Sequence, residues 1–394
     1  MDLPAILRDE RLPAVVVDLD AFDRNVAHAA GIVAPSGLSL RLATKSVRVP
    51  ALIRRALDAG DPYRGLMCFS AEEAHFLADQ GFDDLLVAYP TLQRSDLDAL
   101  RELHEAGKVV WLVVDSADGL RALDAAMAGC EEPFRVVLDV DMSLRLAGLH
   151  LGVRRSPLRS ADDVLELFRS GRDLAHVRLC GLLGYEAQVA GLPDRNPFKR
   201  LLNPAVRWIR GLSVRQVARR RAELGARLRD EGFDLELFNG GGTGSLNLTS
   251  REGDILTEVT AGSGLLCSHL FDYYSNVRFE PACFFVLQAV RSSDPGFVTC
   301  LGGGYVASGE PGWDKVPVPH APSGLQLVGA EGCGEVQTPL RVPASAQLSL
   351  GQPVAFRHAK AGELAERFAE YLLVRDDRII DRVPTYRGLG QTFF

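Results

Sequence analysis

Residues 38–50 read Leu-Ser-Leu-Arg-Leu-Ala-Thr-Lys-Ser-Val-Arg-Val-Pro. Leu38, Leu40 and Leu42 alternate with Ser39, Arg41 and Ala43, the two-residue period of a strand. The alternation stops at Lys45, and after Pro50 a helical pattern begins at Ala51 (A-L-I-R-R-A-L). Lys45 therefore sits where a strand hands over to a loop. Barrels and open α/β enzymes keep their chemistry at the C-terminal ends of strands. A solvated charge at a strand end is the other reading of the same position.

Working outward, the pattern repeats. Strands are predicted at Ala14–Val17, Gly65–Phe69, Leu85–Tyr89, Val109–Val114, Phe134–Val140, Val177–Leu183 and Leu235–Phe238. Helical stretches lie between them, among them Ala21–Val33, a helix capped by Ser70 with Glu73 three residues on, and a long one over about Val214–Glu231. With the Lys45 strand counted second, the strand–helix alternations number eight. Strict alternation implies a parallel sheet with right-handed crossovers, and eight units suit a (β/α)8 barrel. A doubly wound open sheet is the runner-up.

After about residue 266 the texture changes to short β-rich runs between Gly/Pro clusters: Phe284–Val290, Phe297–Leu301, Leu325–Val328, Pro353–Phe356 and Ile379–Val383. One helix-like insert, Gly362–Glu370, interrupts them. The expected organisation is a barrel over residues 14–265 and a mostly antiparallel β domain over 266–394, with residues 1–13 free to join the second.

Bulk properties exclude several classes. The 394 residues carry a net charge of −7, which argues against a nucleic-acid-binding face. The longest basic run, Arg219–Arg221, lies in a helical stretch and reads as a solvated face. No stretch reaches the apolar length of a membrane span, and the N-terminus has no signal-peptide pattern, so a cytoplasmic protein is expected. The seven cysteines (68, 130, 180, 267, 283, 300, 333) show no CxxC pair and read as buried, reduced thiols.

The strongest local motif is Asn239 to Ser245, N-G-G-G-T-G-S, directly after the strand counted eighth. Its glycines let the backbone come close to a ligand, and successive amides in such a turn form an anion nest. Barrels often bind phosphate after strands 7–8. The spacing is neither a P-loop nor a dinucleotide fingerprint. A second small-residue turn, Ala261-Gly-Ser-Gly264, could complete the cradle. A lysine at one strand end and a single phosphate cup at another are what pyridoxal 5′-phosphate needs: an amine for a Schiff base and an anchor for the phosphate.

Three motifs then carry a family resemblance. V-V-D-L-D-A-F-D-R-N (Val16–Asn25) resembles the opening of the fold type III, alanine racemase-like pyridoxal phosphate enzymes. R-L-A-T-K-S resembles their cofactor-lysine strand, and G-G-T-G-S the phosphate loop of the D-threonine aldolase/D-serine dehydratase branch. The resemblance implies the alanine racemase type of (β/α)8 barrel followed by a β domain. It makes Lys45 the Schiff-base lysine, sets Arg145 near the cofactor's phenolate oxygen and Tyr185 near its pyridine nitrogen, and gives Gly242, Thr243 and Gly244 to the phosphate, with Gly262 and Ser263 as helpers.

The departures from that branch are specific. A histidine two residues before the lysine is replaced by Ala43, and one three residues after the tyrosine by Gln188. The branch's H-x-C or H-x-C-D metal motif is matched only by F-R-H-A-K-A-G-E, with His358 followed by Lys360. Three readings stand open: the Lys360 charge replaces the metal, a divalent Mn or Mg ion shifts to His358 and Glu363, or the stretch is plain surface. Lysine at neutral pH is a donor, not a cation ligand.

The expected activity is retro-aldol cleavage of a β-hydroxy amino acid to glycine and an aldehyde, with His358, aided by Lys360, at the substrate hydroxyl. Dehydration to a 2-keto acid and ammonia ranks next, then racemisation. A non-catalytic pyridoxal phosphate carrier is the alternative from another class. The D configuration and a homodimer follow from the resemblance alone. Arg207, Trp208, Trp313 and Asp314 are unplaced candidates for the pocket wall.

Overall fold

The computed structural model describes residues 2–146, 148–346 and 348–393. Eight parallel strands close into a barrel: Ser39–Ala43, Tyr63–Cys68, Leu85–Val87, Val110–Val114, Phe134–Asp139, Val177–Gly184, Leu237–Gly240 and Glu258–Ala261. The ring is completed where Leu40 pairs with Val259 and Leu42 with Ala261. The alternation around Lys45 has a clear outcome. Leu38, Leu40 and Leu42 join the large core shared with the helices. Arg41 turns the other way, into the barrel, where it is 2% exposed and meets Glu258 at 2.7 Å and Asp84 at 3.0 Å. Around it the interior is apolar, with Leu86, Trp111, Val113, Val137, Cys180 and Leu237 packed together.

Two strand assignments change. Ala14–Asp18 is not a barrel strand. It is the centre of the second sheet, antiparallel to Cys283–Arg291 (Val16 opposite Phe284) and parallel to Glu370–Arg375 (Val16 opposite Leu372). Its continuous apolar run fits because both faces are covered. Val15 and Val17 belong to the large core, whereas Val16 packs with Leu3 and Leu7 of the N-terminal segment. An apolar run of this length reports burial on both faces, not the sheet that supplies it. The eighth barrel strand is instead Glu258–Ala261, four residues whose inward Glu258 and Thr260 hid the strand from a hydrophobic reading.

The helices follow local signals. Ser70 caps Ala71–Asp79 by accepting from the Glu73 N–H at 3.0 Å, while the Glu73 carboxylate reaches back to the Phe69 N–H at 2.7 Å. Pro50 opens the helix Pro50–Leu57, its fixed φ suiting the first turn. The second sheet contains all five predicted β-rich runs, together with Val318–Ala321, Gln337–Arg341 and Glu370–Arg375. The helix-like insert shortens to Ala361–Ala365. All seven cysteines are free, five of them buried. Among the described residues no helix is long and apolar enough to cross a membrane.

Candidate active site

A cavity of about 440 Å³ opens at the C-terminal ends of the barrel strands. Lys45 and the glycine turn both line it, as do Tyr89, Tyr185 and Asp139. Strand Ser39–Ala43 runs into a single 3-10 turn, Thr44–Ser46, that presents Lys45. The turn is fixed from three sides. Thr44 Oγ1 donates to Met67 O at 2.9 Å, and Arg48 Nε donates to Lys45 O at 3.1 Å. Gly362 of the second sheet's helix lies so close that a Cβ there would come within 1.7 Å of Lys45 O. The amine itself donates to the Tyr89 hydroxyl at 2.7 Å.

The anion cup faces Lys45 across the same space. Gly241 has φ +86°, a conformation that favours glycine. Gly244 and Gly262 are needed for approach: a Cβ on the first would lie 2.1 Å from Ala190 O, and on the second 2.5 Å from Ala43 O. Thr243 ties the two turns together. Its Oγ1 accepts from Gly262 N and Gly264 N at 3.3 Å and from Ser263 Oγ at 3.2 Å, which leaves its own proton to donate. Thr243 and Gly244 open a 3-10 turn, so their N–H groups have no intrahelical acceptor. A phosphate monoester supplies the acceptors this donor set lacks, and the close-packed glycines admit it to the backbone. The residues present fit pyridoxal phosphate.

Tyr185 shares the cavity and packs on Gly242, where a Cβ would be 3.1 Å from Tyr185 Cε2. Burial, then the neighbouring Glu186 charge, push its phenol up to about 12. Asp139 ends its barrel strand on the cavity wall beside Asp115, Asp141 and Arg155. Burial and then the Asp115 charge raise its carboxyl to about 7, against the pull of Arg155.

Other predicted site residues lie elsewhere. Arg145 is exposed on a hairpin, Leu144–Leu146 against Leu149–Leu151, and does not line the cavity; Arg155 does. Arg145 is paired with His150 across this hairpin, whose Leu146 and Leu149 are exposed as well. His358 is 1% exposed at the end of strand Pro353–Arg357 and is absent from the cavity wall. Burial, then the charge of Arg357, hold its pKa down at about 3, so it stays neutral. Lys360 donates to Ser308 Oγ at 2.8 Å and to Glu363 Oε1 at 3.0 Å, and lines a neighbouring cleft rather than the cavity. Glu363 also accepts from Ser308 N and Oγ. A carboxylate that already accepts from an ammonium, an amide and a hydroxyl, in a cleft whose wall lacks the buried His358, does not fit a divalent ion. Among the described residues no group of three or more His, Cys, Asp or Glu is arranged to hold one. Arg207, Trp208, Trp313 and Asp314 do not line the cavity; Trp208 and Trp313 are exposed, and Asp314 accepts from Asn196 at 3.4 Å.

The sequence reading missed Tyr89, Asp139 and Arg155, and it misread Arg221. That arginine is fully buried, between Glu186 and Glu252. The signal was present: it falls on the stripe Ser213, Val217, Arg221, Leu224, Leu228 that the helix Asn203–Asp230 buries.

Residues 17–252 match the family model described as alanine racemase, N-terminal domain. The chain belongs to this family. It is 28% identical over 286 residues to a D-threonine aldolase of Arthrobacter sp, an alignment covering 71% of this chain and 68% of that one. Against a 3-hydroxy-D-aspartate aldolase of Paracoccus denitrificans (strain Pd 1222) the identity is 23% over 266 residues, 66% of this chain and 63% of the relative. The matches thus span about two thirds of these relatives' lengths. The crystal structure of D-threonine aldolase from Filomicrobium marinum shares the fold, with a TM-score of 0.82, 23% identity and coverage of 97% of this chain and 96% of that one. The alanine racemase-like barrel followed by a mostly antiparallel second sheet, as expected, is thereby shown.

Proposed function

We propose that the protein is a pyridoxal phosphate-dependent lyase that cleaves a β-hydroxy amino acid of D configuration into glycine and an aldehyde. The observation that carries this reading is one cavity holding both the Lys45 amine and a glycine-built anion cup. The names of the curated relatives, aldolases of D-threonine and 3-hydroxy-D-aspartate, supply the substrate class.

Lys45 would hold the cofactor's aldehyde carbon; the Thr243 hydroxyl and the amides of Thr243 and Gly244 would hold its phosphate, with the Ser263 hydroxyl donating to Thr243 behind them. When bound, the cofactor supplies an electron sink for charge developing at the amino acid's Cα. The chain's own groups do the rest. Tyr89 keeps a hydroxyl on the Lys45 amine and so fixes its direction. Asp139, which ends its strand on the cavity wall with a pKa near neutrality, is the group we assign to take the proton from the substrate's β-hydroxyl. His358 and Lys360, which do not line this cavity, have no step assigned.

Asp139 also favours a second reading. Protonated, it can donate to a departing hydroxyl, which is the step of a dehydratase. The product assay separates the two. Holoprotein is incubated with D-threonine, L-threonine, D-serine and 3-hydroxy-D-aspartate, and glycine, aldehyde and keto acid are measured separately. Glycine with an equimolar aldehyde is expected. Keto acid without glycine replaces the aldolase by the dehydratase, and an unchanged absorbance spectrum with every amino acid refutes a lyase altogether. A cytoplasmic homodimer belongs to the same proposal, with two-fold mass by light scattering as its check.

A further inference from the structure

Glu186 follows Tyr185 at the end of barrel strand Val177–Gly184 and is 1% exposed. Four donors converge on its carboxylate. Oε1 accepts from Ser245 Oγ at 2.7 Å and Thr249 Oγ1 at 2.6 Å; Oε2 accepts from Gly241 N at 3.1 Å and from Arg221 Nη2. A carboxylate offers about four lone-pair sites, so this one is filled. Every donor but Arg221 belongs to the glycine turn or to the short helix after it, Leu246–Thr249.

We propose that Glu186, backed by Arg221, is the positioning residue that fixes the shape of the phosphate cup. The proposal rests on the cofactor reading given above. Three consequences of the geometry support it. Ser245 donates to Glu186 while accepting from Gly242 N at 3.2 Å, so its proton is directed away from the cup and Thr243 is the hydroxyl left to donate. Gly241, the residue at positive φ, is pinned through its own N–H, and Gly242 N is held by Ser245, which fixes the backbone that carries the Thr243 and Gly244 amides. The glycines of the motif also divide their work. A Cβ at Gly240 would lie 2.4 Å from Arg221 Nη2, so this glycine makes room for the arginine rather than for a ligand.

Arg221 completes the device. It is fully buried, donates to Gly184 O at 2.5 Å, and bridges Glu186 to Glu252 at 2.9 Å. Burial alone would push the Glu186 carboxyl up. The Arg221 charge and the hydroxyl and amide donors outweigh it and hold the group below the usual carboxylate range, so it is ionised at working pH. A fixed anion below the turn orients every donor around it before any ligand arrives, which is preorganisation in the sense that lowers the cost of binding.

The test compares pyridoxal phosphate with pyridoxal, which lacks the phosphate, by spectroscopic titration of the apoprotein. The wild type is expected to prefer the phosphorylated form strongly. Glu186→Gln preserves the shape but turns a donor toward other donors. It should weaken pyridoxal phosphate roughly 10- to 100-fold, the cost of losing a charged hydrogen bond, and leave pyridoxal unchanged, so the preference ratio collapses. A purely structural role would weaken both ligands equally and lower the melting temperature, and that outcome overturns the proposal, as does an unchanged ratio. If Glu186→Gln fails to fold, Thr249→Val removes one donor and keeps the charge; the same ratio should fall by about tenfold or less, and no fall overturns the proposal. A wild type without preference for the phosphate removes the cofactor reading and this proposal with it, whereas a preference that survives Glu186→Gln removes this proposal only.

Discussion

Gly244→Ala tests the site at its tightest point. The added methyl would start 2.1 Å from Ala190 O and 2.7 Å from Tyr274 Cε1. Neither neighbour can retreat alone, because the Tyr274 hydroxyl donates to that same carbonyl at 2.9 Å. The turn is held from the other side as well: Gly244 O accepts from Arg210 Nη2 at 3.1 Å and Asn276 Nδ2 at 3.2 Å. Carbon–oxygen contacts settle at about 3.3 Å, so something must move by about 1 Å. Overpacking of this kind costs about 1–3 kcal/mol of stability, and a 1 Å displacement at a catalytic centre costs about 100-fold in rate. Urea unfolding of the apoprotein measures the first effect and turnover of the holoprotein the second, while absorbance titration with pyridoxal phosphate reads the cup's affinity directly. The control is Gly211→Ala, on the exposed side of the long helix, where an added Cβ meets nothing within 4 Å. There, alanine should stabilise by up to about 1 kcal/mol through helix propensity. A Gly244→Ala protein as stable as the wild type, with unchanged cofactor affinity, would refute the close approach on which the cup depends.

Lys45→Ala should abolish the covalent adduct, so that borohydride reduction labels the wild type at residue 45 and leaves the variant unlabelled by peptide mass. Arg155→Ala should weaken cofactor or substrate binding, whereas Arg145→Ala, on its exposed hairpin, should change stability by no more than about 0.5 kcal/mol and leave kcat/KM unaltered. Exhaustive chelation should leave turnover unchanged, and added manganese should not raise it, because Glu363 already accepts from Lys360 and twice from Ser308. Burial, then the charge of Arg357, hold His358 at about 3 and His269 at about 4, so the unfolded chain takes up protons that the native state refuses as pH falls below about 6.5; each histidine then costs about 1.4 kcal/mol per pH unit. Burial raises Glu73 to about 7, and this works in the opposite sense between pH 7 and its unfolded value, so Glu73→Gln should steepen the loss of stability between pH 6.5 and 4.5 in urea titrations.

The fold was legible because most of its strands are apolar and regularly spaced. The run V-W-L-V-V at Val110–Val114 is buried throughout and could be little else. The one exchanged strand shows the limit of that signal. Ala14–Asp18 and the true barrel strand Glu258–Ala261 differ in which partner covers them, and partner identity is not written in a four- or five-residue period. Glu258 was invisible for a second reason. A buried carboxylate is tolerable here because Asn239 donates to it and the Arg41 charge arrives from a strand more than two hundred residues earlier, at 2.7 Å. No local window contains both.

The same blindness governed the site, with one exception that sequence periodicity could have caught. Lys45 and the glycine turn announced themselves through residue type, whereas Tyr89, Asp139 and Arg155 are ordinary residues until the barrel brings their strand ends together. Arg221 is different. In a helix successive residues point about 100° apart, so three consecutive arginines spread over about 200° of its circumference. The spacing of Ser213, Val217, Leu224 and Leu228 defines the buried stripe, and of Arg219, Arg220 and Arg221 it selects Arg221. A buried guanidinium must then find acceptors or cost several kcal/mol. Those within reach of a helix lying over the barrel's catalytic end are a strand-end carboxylate and a strand-end carbonyl, here Glu186 and Gly184 O. Charge on an apolar stripe is therefore a statement about the interior: it marks an acid that must be there to receive it, and here that acid stands directly under the cup.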